Sequence, residues 1–201
     1  SPTRYVAPGD FKFKDINGDG IINNDDRTYI GNPLPDFSYG LSFNLEYKNF
    51  ALYTSISGVQ GNDVANEMVF YLRGYSATNK SRAVIDHWTP ENKDSENPRI
   101  GINKNNNMRF SEYYIYDGTY LRVKNLTLGY TIPNRLTSRI NVSNFRVYIT
   151  AQNLFTLTNY PGMEPEIGSS IGWNPHPLDF GVDYPTYPQP RTFLFGLNLT
   201  L

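Results

Sequence analysis

The sequence has 201 residues, a formal net charge of −1, no cysteine, and 15% aromatic residues, with 16 Tyr and 12 Phe. That charge gives no electrostatic pull toward nucleic acid, the lack of cysteine excludes a disulfide scaffold, and no apolar run is long enough for a membrane-spanning helix. The abundance of Tyr and Phe favours strands.

Residues 1–35 carry the first motif. Asp15-Ile16-Asn17-Gly18-Asp19-Gly20-Ile21-Ile22-Asn23-Asn24-Asp25-Asp26 has the spacing of an EF-hand loop. Oxygen donors fall at positions one, three and five, glycine at six and an acid at twelve. Calcium takes six to eight hard oxygen ligands. Asp15, Asn17, Asp19 and Asp26 can offer side-chain oxygens and Ile21 a backbone carbonyl. The expectation is one structural Ca2+. Asp in place of Glu at position twelve shortens the reach, as in dockerin-type loops. A polar Asn/Asp/Gly turn without metal is the alternative.

A strand hairpin is predicted over 36–58. From Phe37 to Tyr47 every odd position is apolar or aromatic, and the even positions are Ser, Gly, Asn and Glu. Lys48-Asn49 reads as a two-residue turn, with Asn tolerating the left-handed conformation. After it Phe50, Leu52 and Ile56 share a face with Thr54. Residues 59–119 read as a long loop with helical pieces near 64–72 and 81–88.

A strand pair is predicted over 120–157. Leu126, Leu128, Tyr130 and Ile132 share one face, whereas Leu121 and Val123 fall on the other parity. A bulge near Asn125 would restore a common face. Pro133 opens the connection, with a short helix over 134–140. Phe145, Val147, Ile149 and Ala151 then alternate with Arg146, Tyr148, Thr150 and Gln152. Residues 158–190 form another long loop. The last strand, 191–201, sets Phe193, Phe195, Leu197, Leu199 and Leu201 against Thr192, Leu194, Gly196, Asn198 and Thr200.

Strands of about ten residues suit a tilted transmembrane β-strand, and the connections alternate short, long, short, long, as outer-membrane barrels require. The fold class is therefore all-β, the antiparallel strands of a large transmembrane barrel with long extracellular loops. A secreted β-sandwich binding module with a calcium loop is the alternative. Catalytic patterns are weak. His87 and His176 stand far apart, no G-x-S-x-G elbow occurs, and Glu164 and Glu166 sit among prolines and glycines as a loop motif. The expectation is not an enzyme. Among loop aromatics, Trp88, Tyr113, Tyr114, Trp173 and Tyr184 are candidates for stacking on sugars or gripping a partner protein. Packing of the loops on one another is the competing role.

Several stretches carry a family likeness. They are residues 10–26, the run Ile30-Gly31-Asn32-Pro33-Leu34-Pro35-Asp36-Phe37, Gly58-Val59-Gln60-Gly61-Asn62-Asp63, and residues 120–130. Gln152-Asn153-Leu154, Tyr160-Pro161-Gly162 with Glu164-Pro165-Glu166, and Tyr187-Pro188-Gln189-Pro190-Arg191-Thr192-Phe193 complete them. In this order, over nearly the whole chain, they resemble the C-terminal barrel region of SusC/RagA-family TonB-linked outer-membrane transporters. Leu201 departs from the aromatic residue more usual at a barrel end. The resemblance implies a barrel of more than twenty strands in the lipid bilayer of the bacterial outer membrane, with a plug upstream. It implies coupling to the TonB complex, a SusD-like surface lipoprotein as partner, and glycan (oligosaccharide) or peptide cargo.

Overall fold

The structure is a computed structural model that describes residues 6–74, 79–100, 106–168, 179–184 and 187–201. In chain order its strands are β1 (Phe37–Tyr47), β2 (Phe50–Gln60), β3 (Asp63–Asn66), β4 (Ile115–Asp117), β5 (Tyr120–Thr131), β6 (Asn144–Thr158), β7 (Val182–Asp183) and β8 (Thr192–Thr200). The chain divides into two compact units. One holds residues 34–63, 117–167 and 186–201, the other residues 1–33, 64–116 and 168–185.

The first unit is a single five-stranded sheet in the order β1-β2-β5-β6-β8, antiparallel throughout. Register carries one apolar face across all five strands. Leu41 pairs with Ile56 and Leu45 with Leu52, Leu52 with Leu128, Leu128 with Ile149, and Ile149 with Phe195. This face stays open to the surroundings: Leu41 is 59% exposed, Leu45 59%, Phe195 81% and Leu197 66%. A sandwich would cover such a face with a second sheet, so the sandwich alternative gives way to a barrel wall whose apolar side meets lipid. The strands of 11, 11, 12, 15 and 9 residues match the roughly 9–11 needed to cross a bilayer at a tilt, and β6 projects beyond it.

The parity break in β5 is a bulge. Ser55 pairs with Asn125 and Ile56 with Val123, so Lys124 has no partner on β2. Across the other ladder Val123 pairs with Phe155 and Asn125 with Gln152, and the extra length of β6 is taken up where Asn153 adopts a left-handed φ of 50°. Leu121 and Val123 thereby rejoin the face of Leu126 and Leu128. Thr54, the polar residue on this face, is 5% exposed, and its hydroxyl donates to the Asn125 carbonyl at 3.0 Å. A hydroxyl that meets a carbonyl freed by the bulge is tolerable on a face that water does not reach.

The β1–β2 turn is the expected two residues, but the left-handed one is Lys48 (φ 55°), not Asn49. The connection after β5 contains the expected helix, α-helical over Asn134–Thr137 and 3-10 over Ser138–Ile140, and it stops at left-handed Asn141.

The second unit is built of loops around a three-stranded sheet in the order β4-β3-β7. Its centre is Val64, fully buried, and Tyr114, 1% exposed. Of the predicted helical pieces, 64–72 begins as strand β3 and turns helical at Glu67–Val69, where the Asn66 side chain caps the Val69 N–H. The 81–88 piece is a 3-10 turn over Arg82–Ile85 capped by Ser81. A part-buried clasp ties residue 10 to the loop. Arg99 holds Asp10 with two bonds of 2.7 and 2.8 Å, and Asn107 donates to the same carboxylate at 2.9 Å. Burial raises the Asp10 pKa, but these donors and the Ala7 amide outweigh it, and the net shift is downward.

Candidate functional site

Three features could carry function. The first lies on the polar side of the barrel wall. Arg122, 3% exposed on β5, donates to Thr156 Oγ1 at 2.7 Å, to Glu166 Oε2 at 3.0 Å and to Glu164 Oε1 at 2.5 Å. Lys124, the bulge residue, also bonds Glu166. Glu164 further accepts the Glu166 amide at 3.0 Å and the Gln189 amide at 3.2 Å. The Glu-Pro-Glu turn and the segment leading into β8 are thus pinned to the inner wall by a nearly buried ion cluster. Both Glu164 oxygens and Glu166 Oε2 are committed to a cation or an amide, as suits a structural clasp. The sequence reading singled out the two glutamates but not their partners. The missed signal was a pair of cations, Arg122 and Lys124, inside a spanning strand, where charge is costly unless matched.

The second feature is the acidic loop. Asp15 accepts the Gly18 and Gly20 amides at 2.7 and 2.8 Å. Asp26 accepts the Ile16 and Asn23 amides at 2.9 and 2.7 Å and closes the loop end to end. Asn17 accepts the Asp19 amide, Asp19 accepts that of Ile21, and Asn17 donates to Asp19. The Asn23 and Ile16 amides hold the Asp26 carboxyl below its ordinary pKa. Gly18 and Gly20 have φ of 77° and 79°, a conformation that favours glycine. The frame that an oxygen cage needs is formed, with position one on the amide of position six and position twelve on that of position two. The carboxylates themselves lean on loop amides, and among the described residues no three His, Cys, Asp or Glu side chains are gathered for a metal. Asp15, Asn17, Asp19 and Asp26 would each have to offer a second oxygen lone pair, beside the Ile21 carbonyl, to hold Ca2+.

The third feature is the set of loop aromatics. Tyr114 is closed to solvent. Its hydroxyl donates to the Asn107 carbonyl at 2.7 Å, and burial raises its pKa. It is a core residue and has no free ring face to stack on a sugar or grip a partner, contrary to the expectation from sequence. Trp88 is half-buried and packs over Gly9, where a Cβ would come within 2.3 Å of the indole, so it too packs the loop. Tyr113 is half-buried, with its hydroxyl on Asn97 at 2.8 Å and its ring 4.8 Å from that of Phe11. Tyr184 is half-buried beside β7. Trp173 and His176 lie outside the described residues. Of the four that lie among the described residues, only Tyr113 borders a groove, of about 770 Å³, between residues 11–30 and 109–113.

No protein-family profile matches the chain. It is 36% identical over 193 residues to TonB-dependent receptor P3 of Formosa agariphila, covering 96% of this chain and 19% of that protein. It is 30% identical over 188 residues to TonB-dependent receptor SusC of Bacteroides thetaiotaomicron, covering 93% and 17%. Among solved structures, the RagAB peptide importer in its closed-closed state superposes with a TM-score of 0.71 at 26% identity, covering 89% of this chain and 19% of that one. The chain therefore spans about a fifth of the length of the relatives it matches.

Proposed function

The chain is a segment of a TonB-dependent outer-membrane receptor of the SusC/RagA type, and on that premise we propose that its sheet is part of the wall of an import barrel for oligosaccharides or peptides. The observation that carries this reading is the single apolar face running through all five strands. Its opposite face bears Ser42, Asn44, Asn125, Thr127, Thr150 and Asn198, which suit a hydrated lumen. The relatives are named as receptors, and no enzymatic step is assigned to the chain.

The starts of β1, β5 and β8 and the ends of β2 and β6 lie at one end of the sheet. The long connections all leave from that end. They form the extracellular surface in this reading, and a SusD-like lipoprotein docks there. The turns at 48–49 and 132–143 face the periplasm. The contact with TonB belongs to parts of the receptor beyond this sequence. The test is uptake by cells expressing the complete receptor. Labelled oligosaccharide or peptide should enter in a TonB-dependent manner, and uptake that persists without TonB would sink the proposal.

The loop of residues 15–26 is proposed to bind one structural calcium ion on the extracellular side. Support comes from the EF-hand spacing together with the clasp of Ile16 and Asn23 on Asp26. Calcium there would neutralise carboxylates and stiffen the loop. Calorimetric titration of the complete receptor with calcium, before and after Asp15→Ala with Asp19→Ala, tests it: equal heats in both would remove the claim.

A further inference from the structure

We propose that the groove between residues 11–30 and 109–113 binds an anionic sugar unit of the cargo, a uronate or a sulfate ester. The proposal rests on the import reading and names the cargo class. Its volume of about 770 Å³ lies within the range of small-molecule sites and is right for one or two sugar rings.

Charge selects the ligand. Lys12, Lys14, Arg27 and Arg109 all line the groove, against Asp26 and Glu112. Among the described residues none of these four cations forms an ion pair, since the ion pairs there are Arg99–Asp10 and the Arg122–Lys124 cluster. Asp26 keeps its charge while its oxygens accept backbone amides, so the lining holds four cations against two acids. In a chain of net charge −1 this is a local positive excess with no internal partner. Two guanidinium groups offer the planar fork that matches carboxylate and sulfate oxygens.

Aromatic surface selects a ring. Phe110 is 50% exposed, and Phe13 sits beneath the Arg109 guanidinium at 5.5 Å. Flat apolar faces beside cations fit a sugar, whose C–H face stacks while its acidic substituent meets the charge. An acidic peptide would meet the same cations. Extended peptides, however, are commonly gripped through a free strand edge, and neither 11–14 nor 109–113 is a strand.

The experiment uses the complete receptor in detergent and isothermal calorimetry. The probes are an oligouronate, a sulfated oligosaccharide, a neutral oligosaccharide of equal length and an acidic hexapeptide. At least one anionic glycan should bind about tenfold or more tighter than the neutral one, and the better of the two names the anion. The preference should shrink with added salt. Lys14→Gln with Arg109→Gln should lower that affinity by about tenfold, while Lys93→Gln, away from the groove, should leave it unchanged. If loss of Arg109 unsettles Phe13 and the receptor fails to assemble, Lys12→Gln with Lys14→Gln, both exposed, asks the same question. Equal affinity for neutral and anionic glycans, tightest binding of the peptide, or indifference to the charge variants overturns the proposal. TonB-dependent uptake with no anionic preference would sink this site and leave the import reading standing. Anionic binding without TonB-dependent uptake would do the reverse.

Discussion

Leucine-to-arginine exchange on the two faces of β8 tests which face meets lipid. The strand runs Thr192–Thr200, so Leu197 lies one residue from its centre at Gly196. With a rise of about 3.4 Å per residue and a tilt near 45°, that is roughly 2–3 Å from the bilayer midplane. Leu197 is 66% exposed and pairs with Val147 on the apolar face. Leu197→Arg should then cost close to the full midplane penalty, about 2–4 kcal/mol, or roughly 30- to 900-fold in the folding equilibrium. Leu194 is the matched control: the same exchange in the same strand, opposite Thr150 on the polar face. Leu194→Arg should cost less than about 1 kcal/mol, because the new charge meets water. Asn198 is a poor control, since it stands directly opposite Arg146 and a second arginine there adds like-charge repulsion. The assay is the denaturant midpoint of the receptor refolded in lipid, with the assembled fraction in cells as a second readout. Equal losses at 194 and 197 would refute the assignment of faces.

An epitope inserted between Lys93 and Asp94 should be reached by antibody on intact cells, and one between Lys48 and Asn49 only after permeabilisation; the reverse pattern inverts the topology. Glu164→Gln leaves the nearly buried Arg122 with half its carboxylate partners and should cost about 3 kcal/mol, read as faster amide exchange over residues 159–167; unchanged protection there removes the pinning role. Asp26 has a folded pKa below its unfolded value, so its contribution is present at neutral pH and disappears as pH falls through and below the ordinary aspartate range. The protection of the residue 15–26 amides, taken relative to their intrinsic exchange rate at each pH, should therefore fall on acidification, and Asp26→Asn should flatten that response.

The strands were legible because each buries or exposes alternate residues against one uniform medium, and that repeats with period two in the sequence. The bulge at Lys124 was legible for the same reason, as a slip in parity between Val123 and Leu126. Its counterpart near Asn153 was not, because three residues of β6 pass there without a change of apolar phase. The left-handed turn residue went to Lys48 because the strand pairing sets the backbone twist, and side-chain preference is the weaker influence. The aromatic candidates were the least legible. Tyr113 and Tyr114 are adjacent and chemically identical, yet one borders a groove and the other fills a core, a distinction made by loop packing across distant sequence. The Arg122–Glu164 pair, 42 residues apart, is of the same kind.

The uneven connections also set an order of assembly. β1 and β2 meet across the two residues 48 and 49, and β5 and β6 across residues 132–143. Closing either hairpin costs little chain entropy, whereas joining β2 to β5 must close the whole of residues 61–119. The hairpins should therefore form as independent early units and zip together later, with β8 adding last beside β6. The ion pairs of Arg122 with Glu164 and Glu166 can form once β5 and β6 have met, whereas the Gln189 amide reaches Glu164 only when the segment leading into β8 docks, so protection of that amide should report the addition of β8 in a time-resolved refolding experiment.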